Sequence, residues 1–263
     1  MSEQNNLKLS SKIFIKGTIK ALTGMHIGGN SIGMAIGGAD KVVVRNPLTN
    51  EPYIPGSSLR GKMRSLLERA RGDEKLNPEE GGFSLKDGKL ESAAGTRSDT
   101  LLGQLFGVSA SESNKQPTRL IVRDAHLTEI SKNELINAPN TDMPMTEVKT
   151  EVNIDRITSA ANPRQFERVP AGAVFNFELV LTLMDGDNEE KLLGLVREGL
   201  ELVQHDSLGG HGSRGYGAVK FSITTLQERT MQHYHAGKPA EDIKNNLKEL
   251  FANFTTGEAV AGA

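Results

Sequence analysis

The chain has 263 residues, of which 37% are hydrophobic and 24% charged, a composition that supports one or two domains with a buried core. It contains no cysteine and no tryptophan, which excludes disulfide scaffolds, zinc–thiolate sites, iron–sulfur clusters and thiol catalysis, and argues against a nucleic-acid surface built mainly on stacking aromatics. With 31 Lys and Arg against 33 Asp and Glu, a formal net charge of −2, any polyanionic partner has to be met by a local patch.

Met1 to Lys12 is polar and no 18-residue apolar run occurs, so a soluble, cytoplasmic protein without a membrane partner is expected. Ser11 to Thr23 alternates apolar and polar residues around Ile13, Ile15 and Ile19, the pattern of a half-buried strand. Val42 to Val44 reads as a short strand. Leu59 to Ala70 has helical spacing, with Ser57 or Ser58 as N-cap and Gly72 as stop. Gly72 to Gly95 is polar and acidic without a period, an exposed insertion. Thr100 to Phe106 reads as a short helix ending at Gly107, and Ser109 to Pro117 as a loop.

Arg119 to Leu127 reads as a strand, and Asp124, a rival acid to Asp40, reads as a strand-end residue ion-paired by Arg119 and Arg123. Asn137 to Pro170 lacks sustained periodicity, and a segment that long in a compact domain is functional or disordered. Val174 to Met184 alternates cleanly as a strand, Asp187 to Gln204 is an amphipathic helix, and Ala218 to Ile223 is a strand. Thr225 to His235 and Glu241 to Phe254 read as terminal helices, and Gly257 to Ala263 as a frayed end. Without the insertions the order is strand, helix, strand, strand, helix, strand. The fold class expected is therefore α+β, a ferredoxin-like or RRM-like βαββαβ unit. It forms one domain over 1–263, with insertions near 72–98 and 137–170 and a helical tail from about 225.

Four segments can carry chemistry. His26-Ile27-Gly28-Gly29 follows a strand, and its free N–H groups could hold phosphate oxygens; a plain hairpin turn and a structural histidine remain the alternatives. Leu208 to Gly217 places five glycines in nine positions around Arg214. It follows a helix and precedes a strand, the reverse of the dinucleotide fingerprint, and it lacks the Gly-Lys-Ser/Thr ending of a phosphate-binding P-loop. It suits a phosphate or chain backbone approached by one fork-shaped cation. In Ser57 to Arg71, Arg60, Lys62, Arg64, Arg69 and Arg71 face a single Glu68 beside two serines, a phosphate seat or else a solvated helix face. Asp40, at the end of a Gly-Gly turn, has no second carboxylate near it in sequence and does not stand out by spacing.

Together these segments resemble the RAMP superfamily of CRISPR proteins. The resemblance runs through Gly24-x-His26-Ile27-Gly28-Gly29, Ile36-Gly37-x-x-Asp40, Pro55-Gly56-Ser57-Ser58-Leu59-Arg60-Gly61-Lys62-Met63-Arg64 and Leu208-Gly209-Gly210-x-Gly212-x-Arg214-Gly215-x-Gly217. Thr146-Glu147-x-Lys149, Asn153, Arg156 and the Ala161 to Arg168 segment make it similar to the repeated backbone subunit of type III-A (Csm) effector complexes. The resemblance implies an RRM-like palm with a thumb near 137–170, stacked in copies along a guide RNA (crRNA), and cleavage of complementary target RNA at regular intervals with a divalent metal (Mg or Mn).

On that basis Asp40 is the catalytic and metal-positioning residue. The RNA-binding residues are His26, Gly28, Gly29, Ser57, Ser58, Arg60, Lys62, Arg64, Arg123, Lys149, Arg156, Arg164, Gly210 and Arg214. Further partners implied are a large polymerase/cyclase-like subunit, a small helical subunit and terminal RAMP subunits. Glycine loops, cations and hydroxyls suit a guide held by its backbone, with base pairing supplying specificity. The rivals are a non-cutting guide scaffold, the equivalent nuclease subunit of a type III-B complex, and a guide-maturing endoribonuclease with His26 as base. The Gly72–Gly95 insertion and the tail after Thr225 are longer than the family's compact members.

Overall fold

The computed structural model describes residues 7–29, 41–73, 75, 79–83, 85–90, 97–108 and 116–254. In chain order the elements are β1 (Leu9–Ala21), β2 (Tyr53–Ile54), α1 (Gly56–Arg71), a small hairpin of β3 (Leu85–Lys86) and β4 (Lys89–Leu90), α2 (Leu101–Phe106), β5 (Leu120–Val122), β6 (Ala125–Leu127) and α3 (Glu129–Ile136). There follow β7 (Glu147–Ile154), β8 (Ala161–Arg168), β9 (Val174–Met184), α4 (Glu189–His205), β10 (Val219–Thr230), α5 (Met231–His235), β11 (Glu241–Asp242) and α6 (Asn245–Glu249). One seven-stranded sheet runs in the order β11-β10-β1-β9-β6-β2, with β5 also paired to β9, and every one of its ladders is antiparallel.

The alternation read in β1 sets the architecture. Ile13, Ile15 and Ile19 are fully buried and share a core with Phe175, Leu179 and Leu181 of β9 and with Leu59, Met63 and Leu67 of α1. Leu192, Val196, Leu200 and Val203 of α4 complete it, so α1 and α4 cover one face of the sheet. The opposite face carries the alternate residues of the same strands; Lys16, Lys20, Asn176 and Lys220 there are exposed, whereas Val180 and Thr182 toward the end of β9 are buried. Burial of one face and solvation of the other is what antiparallel sheets with strict alternation permit.

Several expected elements differ. Helix α1 starts at Gly56, with Pro55 as N-cap and no side-chain cap from either serine. Its first N–H is met instead by Asp124, whose Oδ1 accepts from Gly56 N at 2.7 Å. A carboxylate there satisfies an orphan donor and the helix dipole together. Asp124 is thus not ion-paired between Arg119 and Arg123. Arg119, 2% exposed, binds Asp187 through two bonds of 2.6 and 3.0 Å, and Arg123 lies 3.6 Å from Glu178. The expected Arg119–Leu127 strand accordingly breaks at Arg123–Asp124 into β5 and β6.

Val42–Val44 forms only isolated bridges, Gly28 to Val43 and Lys41 to Phe166. Helix α3 is an element the spacing did not indicate, opened by Thr128 accepting from Ser131 N. Thr225–Thr230 continues β10, paired to β1 as far as Ser11–Thr230, so the expected helix shrinks to α5. Glu241–Phe254 divides into β11, α6 and a short 3-10 turn at Ala252–Phe254, with Phe251 and Phe254 buried. Within the 72–95 insertion, Gly81 and Gly82 are buried. Residues 109–115 of the expected loop and the whole of the expected frayed end, 257–263, fall outside the described residues. Among the described residues no helix is long and apolar enough to cross a membrane.

Candidate nucleic-acid interface

The segment from Asn137 to Pro170, left without a period, is a two-stranded hairpin. β7 and β8 pair residue for residue from Glu147–Arg168 at the base to Ile154–Ala161 near the tip. Its distal half is exposed on both faces, so no core imposes an apolar alternation on it. Arg156 sits exposed at the tip turn and Arg164 exposed on β8. The base is tied down by an ion pair between Arg168 and Glu147 at 2.6 Å.

The base also carries a buried carboxylate. Glu167 is fully buried; its Oε1 accepts from Arg45 at 2.5 Å and from the Thr146 hydroxyl at 2.7 Å, and its Oε2 accepts from Val43 N at 2.8 Å. The Glu167 backbone N–H donates to Lys41 O at 3.0 Å, and its carbonyl meets His26 Nδ1 at 2.7 Å. One residue thereby joins the strand-end histidine, the hairpin and the segment that follows residue 40. On the other side of that segment Gly29 N donates to Val42 O at 3.0 Å and Val44 N to Ile27 O at 2.9 Å, so Gly28 and Gly29 sit in a paired stem. Asp40 lies outside the described residues.

The glycine loop closes over the same place. Gly210 N donates to His26 O at 2.8 Å. Gly209 has φ +89°, and a Cβ there would stand 2.3 Å from His26 O, so only glycine fits. His211, itself at φ 62°, places its ring 4.5 Å from Phe166, 5.6 Å from Tyr216 and 5.9 Å from His26. Burial, with Lys41 beside it, holds the His211 imidazole below its ordinary value against the pull of Glu151. Lys149 lies over the Tyr216 ring at 4.7 Å, and Arg214 bonds Glu151 at 3.2 Å. Lys41, Asn162, Pro163, Arg164 and Phe166 line an open cleft along the hairpin. The His211–Phe166–Tyr216 cluster was not singled out in the sequence, because its members come from two distant segments.

The structure thus brings His26, Gly28, Gly29, Lys149, Gly210 and Arg214 together at the hairpin base. It treats the α1 residues differently. Arg60 and Arg64 both reach the carbonyl of Phe106 at the end of α2, and Arg64 also pairs with Glu68 at 2.7 Å, so these two cations serve helix packing. Lys62 points to the other side and meets Asp206 at 3.0 Å, just before the glycine loop. Ser57 is exposed and Ser58 half-buried on the first turn. Arg123 is on the open face of the sheet, away from this cleft, next to Glu178.

An antiparallel sheet backed by two helices, with a glycine loop, a cationic cleft and a projecting hairpin at the ends of its inner strands β1, β9 and β10, defines the class of the protein. The RAMP superfamily model matches residues 18–220, and the chain belongs to that superfamily. Over 96% of its length it is 38% identical to the whole of "CRISPR system Cms endoribonuclease Csm3" from Methanothermobacter thermautotrophicus. Over 80% of its length it is 40% identical to the protein of the same name from Streptococcus thermophilus, covering 87% of that chain. A chain in the "Crystal structure of Csm3-Csm4 subcomplex in the type III-A CRISPR-Cas interference complex" superposes with a TM-score of 0.55 at 28% identity, covering 94% of this chain and 97% of that one.

Proposed function

We propose that the chain is the guide-RNA-binding backbone subunit of a type III-A CRISPR effector and that it cuts RNA complementary to the guide. The observation that carries this reading is the near-full-length similarity to relatives named as Csm3 endoribonucleases. The cleft supports it: a glycine loop lets a backbone approach, cations stand at the hairpin base, and the site relies on base pairing elsewhere for sequence specificity. In this reading the sheet with α1 and α4 is a ferredoxin-like, RRM-like palm. The β7–β8 hairpin is the thumb and residues 72–98 a finger. Copies stack along crRNA, joined by the large, small and terminal RAMP subunits in the cytoplasm.

Asp40 is the proposed catalytic residue: it assists removal of the proton from the target's 2′-OH, whose oxygen bonds to the adjacent phosphorus as the P–O5′ bond breaks, leaving a 2′,3′-cyclic phosphate and a 5′-oxygen that takes up a proton. A divalent ion, Mg or Mn, would neutralise charge building on that phosphate. Among the described residues no three His, Asp or Glu side chains cluster to hold a metal, and Glu147 and Glu151 are engaged by Arg168 and Arg214. An ion held by the Asp40 carboxylate would be shared with RNA phosphates and water, as Mg²⁺ is at many phosphate sites. The test is an end-labelled, guide-complementary RNA offered to the assembled complex with Mg²⁺ or EDTA. A ladder of evenly spaced products that EDTA removes is expected; binding without cutting would leave a guide scaffold.

Lys62 and Arg156 provide a quantitative check on guide binding. Each contact to a phosphate adds about 0.7 to the salt slope of single-strand binding. Lys62→Ala and Arg156→Ala are each expected to weaken guide binding and flatten a log Kd against log salt plot by that amount. An unchanged slope in both variants removes them from the RNA path.

A further inference from the structure

On the face of the sheet opposite α1 and α4, the stretch around Lys20, Asn176 and Lys220 is exposed, and its chemistry is unusual for a bare surface. On β1 and β10, Lys20 and Lys220 stand directly opposite each other. Both are exposed, and among the described residues neither has an ion-pair partner. Like charges in register across an antiparallel pair destabilise the sheet, so this pair is at its best only when an anion lies over it. One row further along, register places Tyr53, His126, Asn176, Thr18 and Ser222 side by side across five strands. The first two rings stack at 5.7 Å with 26° between their planes.

The geometry points to this face as a second binding surface, one that takes a single-stranded RNA segment laid across the strands. Its phosphates would lie on Lys20 and Lys220, and a base on the Tyr53–His126 pair. Neighbouring strands are about 4.8 Å apart, so the five-residue row offers an aromatic platform followed by an amide and two hydroxyls over roughly 19 Å, enough for three nucleotides. An acidic protein surface would also satisfy the lysines. It has no use for a stacked ring pair running into a row of uncharged hydrogen-bonding groups, and those are what single-strand recognition combines. Arg123, which the sequence grouped with the guide-binding residues, belongs here: it is on this face, shares Glu178 with Lys16 at 3.6 and 3.9 Å, and borders the same row. None of its residues lines the hairpin cleft, so guide held in the cleft does not use them up and a flanking or incoming strand can take them.

This inference rests on the reading of the chain as an RNA-binding subunit, and its test separates the two. A fluorescent twelve-nucleotide oligouridine is titrated into the full-length chain at several salt concentrations. Wild type, the double variant Lys20→Gln/Lys220→Gln, and Lys62→Ala are compared. Loss of two phosphate contacts is expected to flatten the double variant's salt slope by about 1.4, while its melting temperature stays level or rises because the like-charge pair is gone. Ultraviolet crosslinking of the bound oligouridine is expected to label Tyr53 or His126 in wild type. A slope changed only by Lys62→Ala, with no crosslink to either ring, overturns this inference and leaves the cleft reading standing. No binding by wild type overturns both. Displacement of the oligouridine from the double variant and wild type alike by an oligoglutamate peptide, without a crosslink to the rings, makes the face a protein contact and overturns the RNA assignment.

Discussion

Asp40→Ala is expected to abolish cutting of guide-complementary RNA while leaving assembly and target binding unchanged. The contacts described at its flanks are made by other residues. Gly29 and Val42 bond each other across the stem, Val44 bonds Ile27, and Val43 and Lys41 are fixed by Glu167. The stem therefore persists in the variant, and with it the cleft at the hairpin base. A positioned carboxylate that assists deprotonation of the 2′-OH contributes a factor of about 10²–10⁴, so single-turnover cleavage should fall by at least about a hundredfold. The measurement is the cleavage rate of saturating target by guide-loaded complex, wild type and variant, beside target affinity from gel shift. Cutting within tenfold of wild type would dismiss Asp40 as the reacting group. A failure to assemble would make it a structural residue.

The sequence revealed the layers of the fold wherever a core imposed its period. β1, β9 and α4 each bury one face or stripe, and their alternation or helical spacing follows directly from that. Where residues meet no core, the signal is absent. The β7–β8 hairpin is exposed over its distal half, so its pairing rests on backbone bonds and cross-strand contacts such as Glu147 with Arg168, which leave no period in either strand alone. Helix α3 is eight residues long with a weakly amphipathic pattern. Thr225–Thr230 reads equally well as helix or strand until β1 is there to pair with it.

The site shows the same division. The glycines of the 208–217 loop announce close packing, and the structure supplies its object, the carbonyl of His26. The charges of α1 announce only themselves. Arg60 and Arg64 turn to the end of α2, Lys62 turns to Asp206 and the glycine loop, and nothing in their spacing distinguishes the two directions. Burial and the nearby Arg64 lower the affinity of Arg60 for its proton, as expected of a guanidinium drawn into packing. Asp124 was read through its sequence neighbours, yet its partner is Gly56, 68 residues away. Contacts of that kind are set by the tertiary fold, and no local pattern encodes them.

Glu167→Ala is expected to cost more stability than any other single change at the cleft. The carboxylate is 1% exposed at the side chain and its Arg45 partner 15%, so removal leaves a largely buried guanidinium, the Thr146 hydroxyl and the Val43 N–H without their acceptor. Breaking a buried pair by deleting one partner costs about 3–5 kcal/mol, which for a chain of this size is a fall in melting temperature of roughly 6–20 °C. Glu167→Gln separates charge from shape. It keeps an amide oxygen for Val43 and most of the packing but gives Arg45 no anion, so its melting temperature should lie between those of wild type and Glu167→Ala. The functional consequence follows from the same contacts. The Glu167 side chain ties the hairpin base to Val43 and Arg45, and the alanine variant should lose guide affinity as well as cutting, unlike Asp40→Ala, which loses cutting alone. Thermal melts of the three proteins, followed by guide titrations below the lowest transition, decide the matter. A Glu167→Ala protein that melts within about 2 °C of wild type, less than 1 kcal/mol on the same scale, would mean that Arg45 reaches water and that the hairpin is held by its backbone ladder alone.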